Sequence, residues 1–237
     1  MRPSTLKQVV ARGPDGKPAR DGKIVPISMG MSNTTQEFSK FKELADADSA
    51  KSRRVVIVDC AQGGQDAARW NDAGLPAWQT ALRRIQAAGV TPEQVQVMWM
   101  KHARIGPAQW GEYPKHGQEL YEHIAKSLHI AKEKFPNLQV VYLSSRIYAG
   151  YASTPLNPEP YAYESGLVVR RLILDQIKGE PGLNCDAANG KVQAPVLLWG
   201  PYLWADGIMP RKSDGLVWNR PDLGPPVTHH PVDRHAG

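Results

Sequence analysis

Short, almost unbroken apolar runs alternate along this chain with stretches in which apolar residues recur every three or four positions. The runs cover residues 23–29, 54–59, 95–100, 138–143 and 194–199. Apolar runs without clean alternation suit strands covered on both faces, as in a parallel sheet. Pro26 weakens the first run slightly, because proline has no N–H to give to a ladder.

The stretches between them carry helical periods. Thr34-x-x-Glu37 has the spacing of a capping box, and Phe38, Phe41 and Leu44 follow at helix-compatible intervals. Trp78, Leu82 and Ile85 form a second stripe. Leu120, Ile124, Leu128, Ala131 and Phe135 form a third, ended by Pro136. Residues 163–177 are apolar over most of their surface and are predicted to form a well-buried helix. Strand and helix in alternation imply βαβ units with right-handed crossovers. The predicted fold is a three-layer α/β sandwich with a central parallel sheet of about five strands, flavodoxin-like in type. Residues 1–22, with Gly13-Pro14-Asp15-Gly16, read as an irregular lead-in, 23–225 as the α/β domain and 226–237 as an irregular tail. The chain holds no internal repeat. Residues 144–161 form a long loop with Arg146, Tyr148, Tyr151, Pro155, Pro158 and Pro160, a length often tied to function. From Asp206 onward the chain is rich in Pro, Gly and His and has no helical period.

Composition changes this picture little. Over 237 residues, 41% hydrophobic and 22% charged residues are ordinary for a globular domain. The net charge of +6 is scattered, with only short pairs such as Arg53–Arg54, Arg83–Arg84 and Arg170–Arg171, so it reads as a solvated basic surface and no nucleic-acid partner is expected. No apolar run reaches transmembrane length, so no membrane partner is expected either. No signal segment is visible, and a secreted or periplasmic protein would fit only if that segment is absent from this chain. Cys60 and Cys185 are too few for a disulfide framework and lack metal-ligand spacing, although one bridge between them stays open. Cys60 reads as a small buried hydrophobe. No cofactor and no metal is expected.

Ligands of open α/β sheets sit beyond the carboxyl ends of the strands. After the first run stands Gly30-Met31-Ser32-Asn33-Thr34-Thr35, leading into the first helix. A serine on such a turn is presented outward beside free helix-start amides that suit an oxyanion. Alternatively, Ser32 or Asn33 simply caps the helix. After the second run, Gly63 and Gly64 offer a close backbone approach and an N–H donor, or only a flexible turn. His102 follows the third run and suits a structural role better than that of a base. Thr228-His229-His230-Pro231, with His235 beyond, offers a general base for Ser32, or a plain His-rich tail. Asn33-Thr34-Thr35 fits a glycosylation acceptor, which its place on a strand–helix turn argues against.

Taken together these residues resemble the SGNH/GDSL hydrolase superfamily, over roughly residues 22–229. The segment 27–33, Ile-Ser-Met-Gly-Met-Ser-Asn, is similar to its first block, in the branch where the serine is followed by Asn. The resemblance implies that Ser32 is the nucleophile and that its amide serves the oxyanion. Residues 59–66 are similar to the second block, which implies an oxyanion amide from Gly64, with Gly63 the alternative. Residues 143–148 and 200–207 resemble stretches of bacterial members. Two positions depart from the pattern. Arg104 stands where the family places an oxyanion-hole Asn, which makes it the matching oxyanion donor; an Arg can donate but is longer and charged, and a lost donor of that kind costs about 2.7–4 kcal/mol. The family's last block carries an Asp three residues before its His. Here His229 or His230 supplies the His, whereas Pro226 and Val227 supply no carboxylate. The family's closing helix is likewise absent, so the sequence after about Pro225 is expected to have been altered by a reading-frame change and cut short.

The expected function is therefore hydrolysis of small or carbohydrate O-acyl esters by Ser32 and a C-terminal His. The alternative is a relative that keeps the fold as a binding domain without catalysis. A nucleotide- or flavin-binding α/β domain has the topology but lacks a Gly-x-Gly-x-x-Gly or Walker pattern.

Overall fold

The structure is a computed structural model that describes residues 9–223. Four of the five apolar runs form strands: β1 (Val25–Gly30), β2 (Val95–Lys101), β3 (Val140–Ser144) and β4 (Val196–Trp199). They build one parallel sheet in the order β1-β2-β3-β4, with Gly30, Lys101 and Ser144 in register at its carboxyl edge.

The strand expected over residues 54–59 is not formed as one. This segment runs parallel beside β1 and is held by two isolated bridges, Ile24–Val55 and Ile27–Val58. The cause is Pro26. Ile24 N donates to Arg54 O, Val56 N to Ile24 O, Val58 N to Pro26 O and Ser28 N to Val58 O. The bond missing from this sequence is the one residue 26 would donate to Val56 O, and proline has no N–H. β1 survives, and its neighbour loses its ladder.

Among the described residues four α-helices flank the sheet: α1 (Ser32–Ala47), α2 (Pro76–Ala87), α3 (Lys115–Lys134) and α4 (Tyr161–Lys178). Successive strand residues face opposite sides. Met98 and Met100 share a buried core with Trp78 of α2, Leu128 of α3 and Leu172 of α4. Trp99 points the other way and stacks on Phe38 of α1, with ring centroids 5.8 Å apart. The α1 stripe is buried only as far as Phe38. Phe41 and Leu44 remain 51% and 62% exposed, because among the described residues no second helix covers that face. An apolar cavity of ≈ 460 Å³ lies there, between Phe38 and Phe41 and the sheet residues Val97, Trp99 and Tyr142.

The irregular lead-in packs at the opposite edge from the strand ends that matter for function. Val10 N donates to Gln96 Oε1 (2.9 Å), Thr91 Oγ1 to Pro14 O (2.9 Å) and Asn137 Nδ2 to Gly16 O (3.2 Å). The carboxyl edge is roofed by two long segments. Trp204 Nε1 donates to Glu159 Oε1 (2.9 Å), Trp218 Nε1 to Leu203 O (2.8 Å) and Tyr151 OH to Trp218 O (3.3 Å). Cys60 is buried and Cys185 half-buried, and both are free thiols. Burial pushes the Cys60 thiol up to about 12, which fits its reading as a hydrophobe. No helix of the described residues is long and apolar enough to cross a membrane.

Candidate active site

Ser32 is the first helical residue of α1. Met31 precedes it as the N-cap, with extended backbone and no side-chain cap. The capping box expected from Thr34 and Glu37 does not form. Thr34 Oγ1 donates instead to Lys101 O (2.9 Å), and Glu37 pairs with Lys101 Nζ. Both are drawn to the end of β2, where a buried carbonyl and a buried ammonium need partners more than an exposed helix start does. A β-carbon at Gly30 would collide with Lys101 O and Thr34 Oγ1, so glycine is what lets α1 begin against β2. Ser32 is therefore not a cap. It is exposed, and its hydroxyl makes no hydrogen bond to any described residue.

The backbone around it is rich in unused donors. Thr34 N and Thr35 N donate to Met31 O, while Ser32 N and Asn33 N find no acceptor among the described residues. The same holds for Gly63 N and Gly64 N. A β-carbon placed on Gly63 would lie 3.9 Å from Ser32 Cβ, so Gly63 is the glycine that faces the serine. Gly64 follows with φ +72° and open space around it, a backbone conformation that favours glycine. Gln62 N donates to Gly30 O (3.0 Å) and ties this loop to the end of β1. Free amides at a helix start with its positive dipole end make a place for developing negative charge. Asn33 is half-buried and its Nδ2 is fully enclosed, which leaves that atom no room for a glycan.

Arg104 turns into a closed cluster. Its Nε lies 3.2 Å from Asp66 Oδ2, its Nη1 meets the ring of His123, and its guanidinium sits 4.0 Å from the Trp110 ring centroid. Asp66 also accepts from Ile105 N (3.0 Å) and Ala68 N (3.2 Å), so it clasps the loop after residues 54–59 to the loop after β2. None of the partners of Arg104 is Ser32, Gly63 or Gly64.

Among the described histidines none touches Ser32. His102 is 3% exposed, and burial, with a smaller push from His123, holds its pKa down to about 3, so it is a neutral core residue. His116 bonds Glu164 (2.6 Å), and His129 bonds Gly182 O. His123 is engaged with Arg104, and burial lowers its pKa, with the Arg104 charge adding to the effect. His229, His230 and His235 lie outside the described residues.

No family model matches the chain, and no curated protein matches it in sequence. Two solved structures are similar in outline. One is a provisionally assigned acylhydrolase from Bacteroides fragilis, 12% identical, with a TM-score of 0.39 over 83% of this chain and 88% of that one. The other is a gut microbial diltiazem-metabolizing enzyme, 14% identical, with a TM-score of 0.40 over 82% of this chain. This chain spans 39% of that enzyme's length. At such values the chemistry must be argued from the site itself.

Two polar clusters escaped the sequence patterns. Asp59 accepts from Ser28 Oγ and Thr35 Oγ1, and Ser28 Oγ in turn accepts from Cys60 N and Ala61 N (both 3.0 Å). An Asp closing an apolar run was the only visible signal. The second cluster is Lys101 with Glu37. Lys101 is 2% exposed, and burial holds its pKa down to about 8 despite the pull of the Glu37 carboxylate. Its folded pKa is thus depressed. Below about 8 the ammonium is charged in both folded and unfolded chains, and above that pH the folded chain releases its proton first. Wild-type stability should therefore rise relative to Lys101→Met between about pH 8 and 10, by up to about 1.4 kcal/mol per pH unit, in urea unfolding. A flat difference over that range would place Lys101 in a wetter site than the one seen.

Proposed function

We propose that this chain is a serine hydrolase of the SGNH/GDSL type acting on small or carbohydrate O-acyl esters. The observation that carries the reading is the exposed, unbonded Ser32 hydroxyl at a helix start, beside four backbone amides without acceptors. In this reading Ser32 Oγ attacks the ester carbonyl while His229, or His230, takes its proton. The amides of Ser32 and of Gly63 or Gly64 hold the tetrahedral oxyanion. Collapse breaks the bond to the alcohol, which leaves with the proton. Water then attacks the acyl-serine, the histidine takes its proton, and the carboxylic acid is released. Arg104 supports the site by holding Asp66 and the loop that bears the glycines. No cofactor, nucleic acid or membrane enters this account.

A second reading is a binding domain that keeps the fold without turnover. The enclosure of Arg104 by Asp66, His123 and Trp110 favours it, because that guanidinium then gives no donor to an oxyanion. Turnover of 4-nitrophenyl acetate separates the two. A rate proportional to protein concentration and above that of an unrelated basic protein supports the hydrolase. Its absence at every pH from about 5 to 8, the range in which an unperturbed His changes charge, leaves the binding domain.

A further inference from the structure

Among the described residues four arginines are half-buried: Arg12, Arg104, Arg146 and Arg211. Three have a partner for the guanidinium. Arg12 donates to Gly16 O, Arg104 meets Asp66, His123 and Trp110, and Arg211 meets Asp214, Tyr202 O and Trp204 O. Arg146 is the exception. Its Nε is fully enclosed, and its guanidinium makes no hydrogen bond, ion pair or ring contact with any described residue. Its backbone is nonetheless fixed, because Arg146 N donates to Ser165 Oγ (3.0 Å) on α4.

Two carboxylates, Glu37 and Glu159, act on Arg146 without touching it. Glu37 pairs with Lys101 through Oε1, and its Oε2 is enclosed without a hydrogen-bond partner. Glu159 accepts from Ala149 N (2.8 Å), Tyr163 N (2.9 Å) and Trp204 Nε1 (2.9 Å), which uses it to hold the roof of the site. Beside Arg146, the Ser145 hydroxyl is 2% exposed and also lacks a partner. A guanidinium taken partly out of water without a counter-ion is costly, and a carboxylate that accepts its fork bidentately offsets that cost.

The position fits a substrate-binding role. Arg146 stands two residues past Ser144, and Ser32 two residues past Gly30, with Lys101 in register between them. Two strand spacings put Gly30 and Ser144 about 10 Å apart. A group held at Arg146 thus lies within reach of a small ester whose carbonyl is at Ser32.

We propose that Arg146 anchors a carboxylate carried by the ester substrate. This rests on the hydrolase reading above and narrows it to anionic esters.

The test compares 4-nitrophenyl acetate with 3-carboxy-4-nitrophenyl acetate, on wild type, Arg146→Gln and Arg146→Lys, each checked for folding by thermal melting. The ratio of kcat/KM for the carboxylated over the neutral ester should fall about 10- to 100-fold in Arg146→Gln, with part of it restored in Arg146→Lys. An unchanged ratio in an active protein overturns the inference and leaves the hydrolase standing. Calorimetry of the carboxylated ester on Ser32→Ala, with and without Arg146→Gln, supplies a readout free of turnover. If wild type cleaves neither ester, the hydrolase reading fails and the calorimetry alone decides. Binding weakened by Arg146→Gln then supports the anchor, and equal binding or none overturns it.

Discussion

Ser32→Ala is expected to lower ester hydrolysis at least about 10³-fold while leaving stability within about 0.5 kcal/mol of wild type. The two halves of this expectation have separate causes. The rate falls because the variant has no atom to form the acyl intermediate, and what remains is only binding and oxyanion stabilisation. Stability holds because the hydroxyl is exposed, caps nothing and bonds no described residue. Alanine is also the better helix former at that position. Kinetics with 4-nitrophenyl acetate and a thermal melt on the same sample measure both. Equal rates in the two proteins would remove Ser32 from the chemistry, and a large loss of stability would mean that its hydroxyl has a structural partner.

Trp78→Ala is expected to be the most damaging single change to the fold, at about 3–5 kcal/mol. Trp78 is fully buried on α2, edge-on to Trp70 with centroids 5.1 Å apart, and near Phe135 at 6.4 Å. Its Nε1 donates to Trp70 O (3.0 Å), so truncation leaves both a cavity and an unpaired buried carbonyl. The consequence extends to the site. Trp70 Nε1 donates to Gln65 O (3.2 Å), which ties the Gly63–Gly64 turn to this same tryptophan pair. The variant should unfold at a markedly lower urea midpoint and, below that midpoint, lose activity out of proportion to its unfolded fraction. A loss under about 1 kcal/mol would mean that the core closes around the gap, as it does where neighbours can relax.

The apolar runs carried most of the fold because a buried parallel strand needs little beyond such a run. Residues 54–59 failed as a strand for a reason that lies elsewhere in the chain. Pro26 is compatible with its own strand, and its missing N–H is felt only by the neighbour. The capping box failed similarly. Thr34 and Glu37 have the right spacing, but Lys101, 64 residues beyond Glu37, outcompetes the helix start for both. The place of Ser32 at an exposed helix start was legible because it depends on local order alone: strand, glycine, serine, helix. Gly63 and Gly64 could not be ranked from sequence, since which one faces Ser32 depends on how the loop is tied down at Gln62 and Asp66. Arg104 was found by position, but three competing partners decide where its guanidinium goes. The lack of a contact partner for Arg146 has no sequence signal, because it depends on where Glu37 and Glu159 are drawn in the folded chain.

A nucleophilic Ser32 should react covalently with an active-site phosphonylating agent. Wild type and Ser32→Ala are incubated with an alkyl fluorophosphonate, and the tryptic peptide spanning residues 24–40 is weighed and fragmented. A phosphonyl adduct is expected on Ser32 Oγ, formed with loss of fluoride, and an unlabelled peptide in the variant. A wild-type peptide that stays unmodified, or a label that goes elsewhere equally in both proteins, would contradict it.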